Sequence, residues 1–330
     1  MRCRMPRGKL GVPRVPLTRR PSAVDPGSSP GQALSPQAGR GNGGFIVVAV
    51  LWMLGALATL AAIYAVYVIN AATGLSVNDD RLKAEALTRA ALELTAYRVT
   101  SADAETRPSR GDFLFRLGRA TVAVEFRSEA ARIDLNMASR ELLAGLLAGL
   151  GAPYANAAYY ADRIVGWRTT RDADAPDVEG PAYRTAGLSY RPRQAPFAHV
   201  GELSLVLGLP PALVERALPF VTVFSGRPEV NIMDAAPEVL AALPGMTPDR
   251  LYAVLSQRGT GPQAAQFLLR LVGTEQSSAT SEASKAMRVG VRMDLENGRR
   301  VRAEAVILLL EDGPEPFRVL SWRDDFDGPS

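Results

Sequence analysis

Phe45 to Ile69 reads FIVVAVLWMLGALATLAAIYAVYVI, 25 residues without a charge, and the next charged residue is Asp79. A helix of about 20 apolar residues crosses the hydrocarbon core of a bilayer, so this run is long enough to span with some tilt. It is too long for an ordinary buried core helix. It is also longer than the apolar part of a cleaved secretory signal, which is about 7–15 residues. Ala71-Ala72-Thr73 is a weak match to a signal-cleavage site.

Charge gives the span a direction. Residues 1–44 hold eight basic groups and one acid, Asp25, a net +7, and the whole chain is +4, so the remainder is −3. Basic flanks stay on the cytoplasmic side, which places 1–44 inside and 75–330 outside. In a Gram-negative cell, outside is the periplasm and the membrane is the inner one. The high pI belongs to the leader, so a basic nucleic-acid-binding body is not implied.

The leader is rich in proline and glycine and has too little apolar surface to form a core. It ends in Gly41-Asn42-Gly43-Gly44, directly against Phe45. Two readings of this junction stand side by side. One is a flexible linker, and the other is a prepilin-type processing site cut between Gly44 and Phe45.

After the span, Leu82, Ala86, Ala90, Leu94 and Tyr97 recur at steps of four and three, with charges between them. This predicts an amphipathic helix continuing from the membrane segment to Arg98, about 80 Å from Phe45 at about 1.5 Å per residue. Alternation at Phe113, Phe115 and Leu117, and at Val122, Val124 and Phe126, predicts two strands. Val289 to Leu295 and Val301 to Leu309 alternate around Asn297-Gly298, a strong hairpin signal. Residues 317–323 suit a last strand. Between these strands the pattern is helical. The expected fold class is α+β, an antiparallel sheet carrying a large inserted α-helical domain. The expected parts are a leader (1–44), a transmembrane helix (45–72), a helix with the first strands (73–135), two helical subdomains (136–225 and 226–273) and returning strands (274–330).

Single copies of cysteine (Cys3) and histidine (His199) exclude an internal disulfide and a Cys/His zinc cluster. No nucleophile elbow, P-loop or metalloprotease motif occurs, and His199 suits a surface or capping role. The chain is therefore expected to be no enzyme. Four carboxylates, Asp172, Asp174, Asp177 and Glu179, cluster in an Ala/Pro/Gly-rich loop. Hard oxygen donors at this spacing suit calcium, the one candidate cofactor, and the alternative is a solvated acidic loop.

The helical block holds a weak repeat. Arg132-Ile133-Asp134-Leu135-Asn136-Met137-Ala138-Ser139 precedes one helix, and Glu229-Val230-Asn231-Ile232-Met233-Asp234-Ala235-Ala236-Pro237 precedes another. Ser139 and Asp234 are plausible caps. The first helix ends in Gly149-Leu150-Gly151, and Gly245 and Thr247 take the same spacing after the second. This resembles a helix-hairpin-helix and raises an alternative function, membrane-anchored DNA binding or uptake. Charge argues against nucleic acid. Residues 134–174 carry four basic groups and five acids, and residues 229–258 carry two and four.

Further motifs follow in order: Ala161-Asp162-x-Ile164-Val165-x-Trp167-Arg168, Tyr190-Arg191-Pro192-Arg193-Gln194-Ala195-Pro196-Phe197, Val200-x-Glu202-Leu203, Ser225-Gly226-Arg227-Pro228-Glu229-Val230-Asn231 and Ala236-Pro237-Glu238-Val239-Leu240. With the Arg132–Ser139 segment they resemble the minor pseudopilin K family of type II secretion (general secretion pathway protein K), from Gly44 to about Trp322. The resemblance implies cleavage by prepilin peptidase after Gly44 and N-methylation of Phe45. It implies a pilin-like fold with sterile-alpha-motif-like helices in the inserted domain. It implies a place at the tip of a periplasmic pseudopilus that supports protein export. The implied partners are the minor pseudopilins I and J, with H, and the inner-membrane assembly platform, with secreted substrates or the secretin beyond. Pilin-like subunits mostly carry Glu at the fifth mature position, paired with a neighbour's N-terminal amine. Here that position is Ala49, as in this family, and a tip subunit has no neighbour above to pair with. The 44-residue leader is longer than the family's, which points to a start downstream of Met1. Family members can carry disulfides and calcium in the inserted domain. Only calcium is open to this chain.

Overall fold

The computed structural model describes residues 43–102, 107–171, 177, 179–258, 262–273, 278–311 and 314–324, with the side chains of 71–78 and 262 set aside. The chain divides into two units, 1–69 and 70–330. The helix α1 (Gly43–Thr100) begins in the first and ends in the second.

In the first unit, Phe45–Asn70 is long and apolar enough to cross a membrane, with a mean hydropathy of 2.5 and no part of it buried. Its one aliphatic hydroxyl, on Thr59, donates to the Gly55 carbonyl at 2.8 Å. That satisfies the group within the helix, as lipid requires.

In the second unit, five antiparallel strands are ordered β1-β2-β7-β8-β9. They are β1 (Arg110–Leu117), β2 (Ala120–Ser128), β7 (Ala286–Asp294), β8 (Arg300–Leu309) and β9 (Phe317–Asp324). The expected strands are all present. The Asn297-Gly298 turn takes φ +79° at the glycine. The inner face of the sheet is Val122, Val124, Phe126, Val289, Val291, Met293, Val301 and Ile307, which pack against α1.

The face of α1 that they cover is not the expected one. Ala84, Leu87, Thr88, Ala91, Leu92, Thr95, Ala96 and Val99 are buried, while Leu82, Leu94 and Tyr97 are exposed. Two threonines hid the true stripe. Thr88 and Thr95 donate to the carbonyls of Ala84 and Ala91 at 2.8 and 2.7 Å, so each is buried without an orphaned hydroxyl. Small side chains also let the helix lie close to the sheet.

β2 and β7 are neighbours in the sheet, yet 157 residues, 129–285, separate them in sequence. That stretch is the helical insertion. It contains β3 (Ile133–Asp134), α2 (Arg140–Gly149), α3 (Tyr154–Arg168), α4 (Gly180–Thr185), α5 (Pro211–Ala217) and β4 (Val221–Thr222). Next come β5 (Val230–Asn231), α6 (Pro237–Ala241), α7 (Pro248–Ser256), α8 (Pro262–Val272) and β6 (Ala279–Thr280). It has its own core, with Leu142, Leu143, Leu146, Leu147, Ile164, Leu203, Ile232 and Leu240 fully buried. The α+β class with a large helical insertion is therefore the observed architecture.

Candidate functional site

Gly44 and Phe45 lie in the first turn of α1, and Ala49 lies one turn further on. Phe45 is 78% exposed, and the apolar residues to Ile69 are exposed with it. The rest of the leader, residues 1–42, is outside the described residues.

In the insertion, the two sequence repeats become two copies of one device. β3 pairs in parallel with β4, and β5 pairs in parallel with β6. In the first copy, Asp134 accepts from the amides of Asn136 and Gly226, both at 2.8 Å. In the second, Asn231 accepts from the Met233 amide at 2.8 Å and donates to the carbonyls of Ser281 and Glu282 at 3.2 and 3.3 Å. Burial pushes the Asp134 carboxyl up, against the pull of its backbone donors and of Arg168. A terminal arginine then closes each copy. Arg168, at the end of α3, donates to Leu135 O and Ala138 O, both at 2.6 Å. Arg258, just past α7, donates to Ile232 O at 3.1 Å and Ala235 O at 2.6 Å. Burial lowers both guanidinium pKa values, and Asp134 and Asp234 respectively oppose the shift. The sequence reading named Arg168 only within a motif and missed Arg258. An arginine closing the second helix of both repeats was the available signal.

The hairpins correct two expectations. Ser139 caps α2 as expected, accepting from Leu142 N at 3.2 Å, but α6 starts at Ala236 without a side-chain cap. Asp234 instead lies in the turn before it, facing Arg110 at 3.4 Å. Gly245 matches Gly151 rather than Gly149, because both take positive φ, +67° and +94°, two residues before a helix cap. Thr247 is that cap in the second copy and accepts from Arg250 N at 3.3 Å. A third hairpin, unseen in the sequence, repeats the arrangement. Gly208, at φ +83°, precedes Pro210, the cap of α5. Only a residue tolerant of positive φ can reverse the chain so tightly.

The scattered motifs converge on one cluster of rings. Trp167 stacks on Phe197 at 6.0 Å and meets Tyr183 at 6.1 Å, and Tyr183 meets Tyr190 at 5.9 Å. Asn136 clamps Phe197 from both sides. Its amide donates to Phe197 O at 3.0 Å, and its oxygen accepts from Phe197 N at 2.6 Å. Glu202 accepts from Trp167 Nε1 at 3.2 Å and from Arg193 at 3.0 Å. His199 is a cap, its Nδ1 accepting from Gly201 N at 2.9 Å.

Of the four candidate calcium ligands, Asp172 and Asp174 lie outside the described residues. Asp177 accepts from Gly180 N at 2.7 Å and from Gln194 at 3.3 Å. Glu179 pairs with Arg163 at 2.8 Å, and burial raises its pKa while Arg163 opposes the rise. The structure thus brings Asp177 and Glu179 into one loop, each with protein partners. Among the described residues, no group of three or more His, Cys, Asp or Glu side chains is placed to hold a metal. A cation would need oxygens from Asp172 and Asp174 and would compete with Arg163 for Glu179.

A buried ion pair joins the insertion to the sheet. Glu129, 1% exposed, receives Arg288 of β7 through two bonds, at 2.7 and 3.1 Å, and Thr222 of β4 donates to it as well. Arg288 also pairs with Glu304 at 2.5 Å. Beside them lies a cavity of about 300 Å³, lined among others by Arg132, Phe220 and Val239. These groups tie structure together.

Residues 125–226, from the middle of β2 past β4, match the family model for protein K of the type II secretion system. This chain resembles protein K of type II secretion. The protein K-like region holds Glu129, the Asp134 turn, the Arg168 clamp, the ring cluster and the acidic loop. The chain is also similar in fold, over part of its length, to a solved structure, that of the GspK-GspI-GspJ complex from the type 2 secretion system of enterotoxigenic Escherichia coli. The TM-score is 0.52 at 16% identity, over 75% of this chain and 98% of that one. No curated protein sequence gives a significant match.

Proposed function

We propose that the chain is a minor pseudopilin: a single-pass inner-membrane subunit with its C-terminal head in the periplasm. In this reading prepilin peptidase cuts between Gly44 and Phe45, and Phe45 is then N-methylated. The head joins the minor pseudopilins I and J, with H, at the tip of the pseudopilus. There it starts assembly on the inner-membrane platform and supports export across the outer membrane toward the secretin. It works by assembly, not by turnover. The observation that carries the reading is the match of residues 125–226 to protein K, inside a head that follows an exposed apolar helix. The second apolar stripe of α1, with Leu82 and Tyr97 exposed, supports it as a surface for a neighbouring subunit.

The test is intact mass and N-terminal sequence of the protein taken from its host's inner membrane. The expected result is a chain beginning at methylated Phe45. A chain that keeps its leader, or one cut near Ala72, overturns the proposal.

A further inference from the structure

β1 stands first in the strand order of the sheet, so β2 is its one partner there. Ser109 O accepts from Ser128 N at 2.6 Å, which fixes the alternation of the ladder: the odd-numbered residues of β1 bond to β2. The amides and carbonyls of Asp112, Leu114 and Arg116 therefore point away from β2, and no strand meets them among the described residues. Their side chains share the outer face of the sheet, opposite to that of Phe113, which packs with α1. All three are exposed, Leu114 at 71%. Arg110 has Asp234 at 3.4 Å, whereas Asp112 and Arg116 have no ion pair among the described residues. An open edge eight residues long is a template for another strand.

We propose that this edge pairs with itself: β1 docks antiparallel on β1 of a second copy of this chain. Charge names the occupant. Read in opposite directions about Leu114, the outer-face pattern of acid, leucine and base is its own complement. With Leu114 opposite Leu114 of the second copy, Asp112 faces Arg116 and Arg116 faces Asp112, two ion pairs around one apolar contact. The same register sets Phe113 opposite Phe115 on the inner face, where the two rings already lie 6.3 Å apart within one copy. Other registers fail. A slip of one residue sets the edge-facing residues against residues bonded to β2, and the new backbone bonds are lost. A slip of two opposes Arg110 to Arg116, or Leu114 to Arg116, and either way Asp112 loses its arginine. The two copies are related by a two-fold axis, and each closes the other's edge. Incorporation at a pseudopilus tip must part the pair, so the dimer is the state of the head before assembly. The inference rests on the sheet alone and is independent of where the leader is cut.

The test is cross-linking of the full chain in detergent micelles with a short bismaleimide, using Cys3→Ser/Leu114→Cys as the parent with a single thiol. The expected result is a covalent dimer, because residues opposed in a hydrogen-bonded pair lie about 5.5 Å apart. Asp112→Arg or Arg116→Asp, each added singly, should cut the yield about tenfold, since like charges then meet at both ends of the contact. Mixing the two variants should restore it, because each supplies the charge that the other lacks. The altered side chains are exposed, so unchanged melting temperatures serve as the folding control. Absence of a dimer in the parent overturns the proposal. So does a dimer that persists in the single variants, which would place the contact elsewhere, and so does a loss that mixing fails to restore.

Discussion

Asp134 and Asn231 hold equivalent places in the two turns, yet their second partners differ in kind. Asp134 faces a second N–H, from Gly226, and Asn231 faces two carbonyls. An acid suits the first and an amide the second. Exchanging them therefore sets donor against donor, or acceptor against acceptor. Asp134→Asn is expected to cost about 1–3 kcal/mol in denaturant unfolding at neutral pH. Asn231→Asp should cost more, because a buried carboxylate would face two carbonyl oxygens. Protonation turns that carboxylate into a donor, so the Asn231→Asp deficit should shrink as pH falls. Asp134 adds its own pH dependence. Its folded-state pKa is raised by burial, so it favours the native state most when protonated. That contribution is lost as pH rises from the ordinary carboxylate value through the raised one. Unfolding free energies across this acidic range should lose the slope in Asp134→Asn, and a retained slope would assign it elsewhere.

The short elements of the insertion lack the length to be stable alone. α6 has five residues and β5 has two, and helices below about 12–15 residues are marginal in water. Packing and arginine clamps hold them. Arg258 reaches back from the end of α7 to both sides of the turn between β5 and α6. Arg258→Ala should cost about 2–4 kcal/mol, since two charge-assisted bonds to carbonyls disappear. Arg258→Lys should recover only part of this, because a single ammonium cannot span both oxygens as the planar fork does. Urea unfolding of the three proteins gives the order, and a lysine variant as stable as the parent would remove the fork from the explanation. The periodic signal for such elements is weak. The helix after Gly208, α5, has seven residues and barely completes two turns, which is why the third hairpin escaped the sequence reading while the ten-residue α2 did not.

For the whole molecule, the proposed role turns on which contacts α1 makes in the membrane. Ala49 sits where filament subunits place a carboxylate, and a carboxylate in lipid is costly unless a neighbour neutralises it. Ala49→Glu should therefore lower export of secreted protein in the host, while Ala49→Ser should leave it intact, with membrane levels of both variants checked by immunoblot. Full export by Ala49→Glu would show that this subunit has a partner for the charge. That would argue against a place at the tip.

Sequence alone determined the apolar helix, because a run of 25 uncharged residues is long enough to cross a bilayer with every backbone group bonded inside the helix. It determined the five sheet strands, because alternation has a period of two wherever one face is buried. It carried the resemblance to protein K through motifs scattered along the insertion. Tertiary structure decided which face of α1 is buried, since threonines that bond their own helix pass for polar surface until a sheet covers them. It decided that the scattered motifs meet around Trp167 and Phe197, and that Glu129 and Arg288, 159 positions apart, form the joint between insertion and sheet. Ion pairs and clamps of this kind depend on distance in space. Distance in sequence carries no trace of them until the chain has folded.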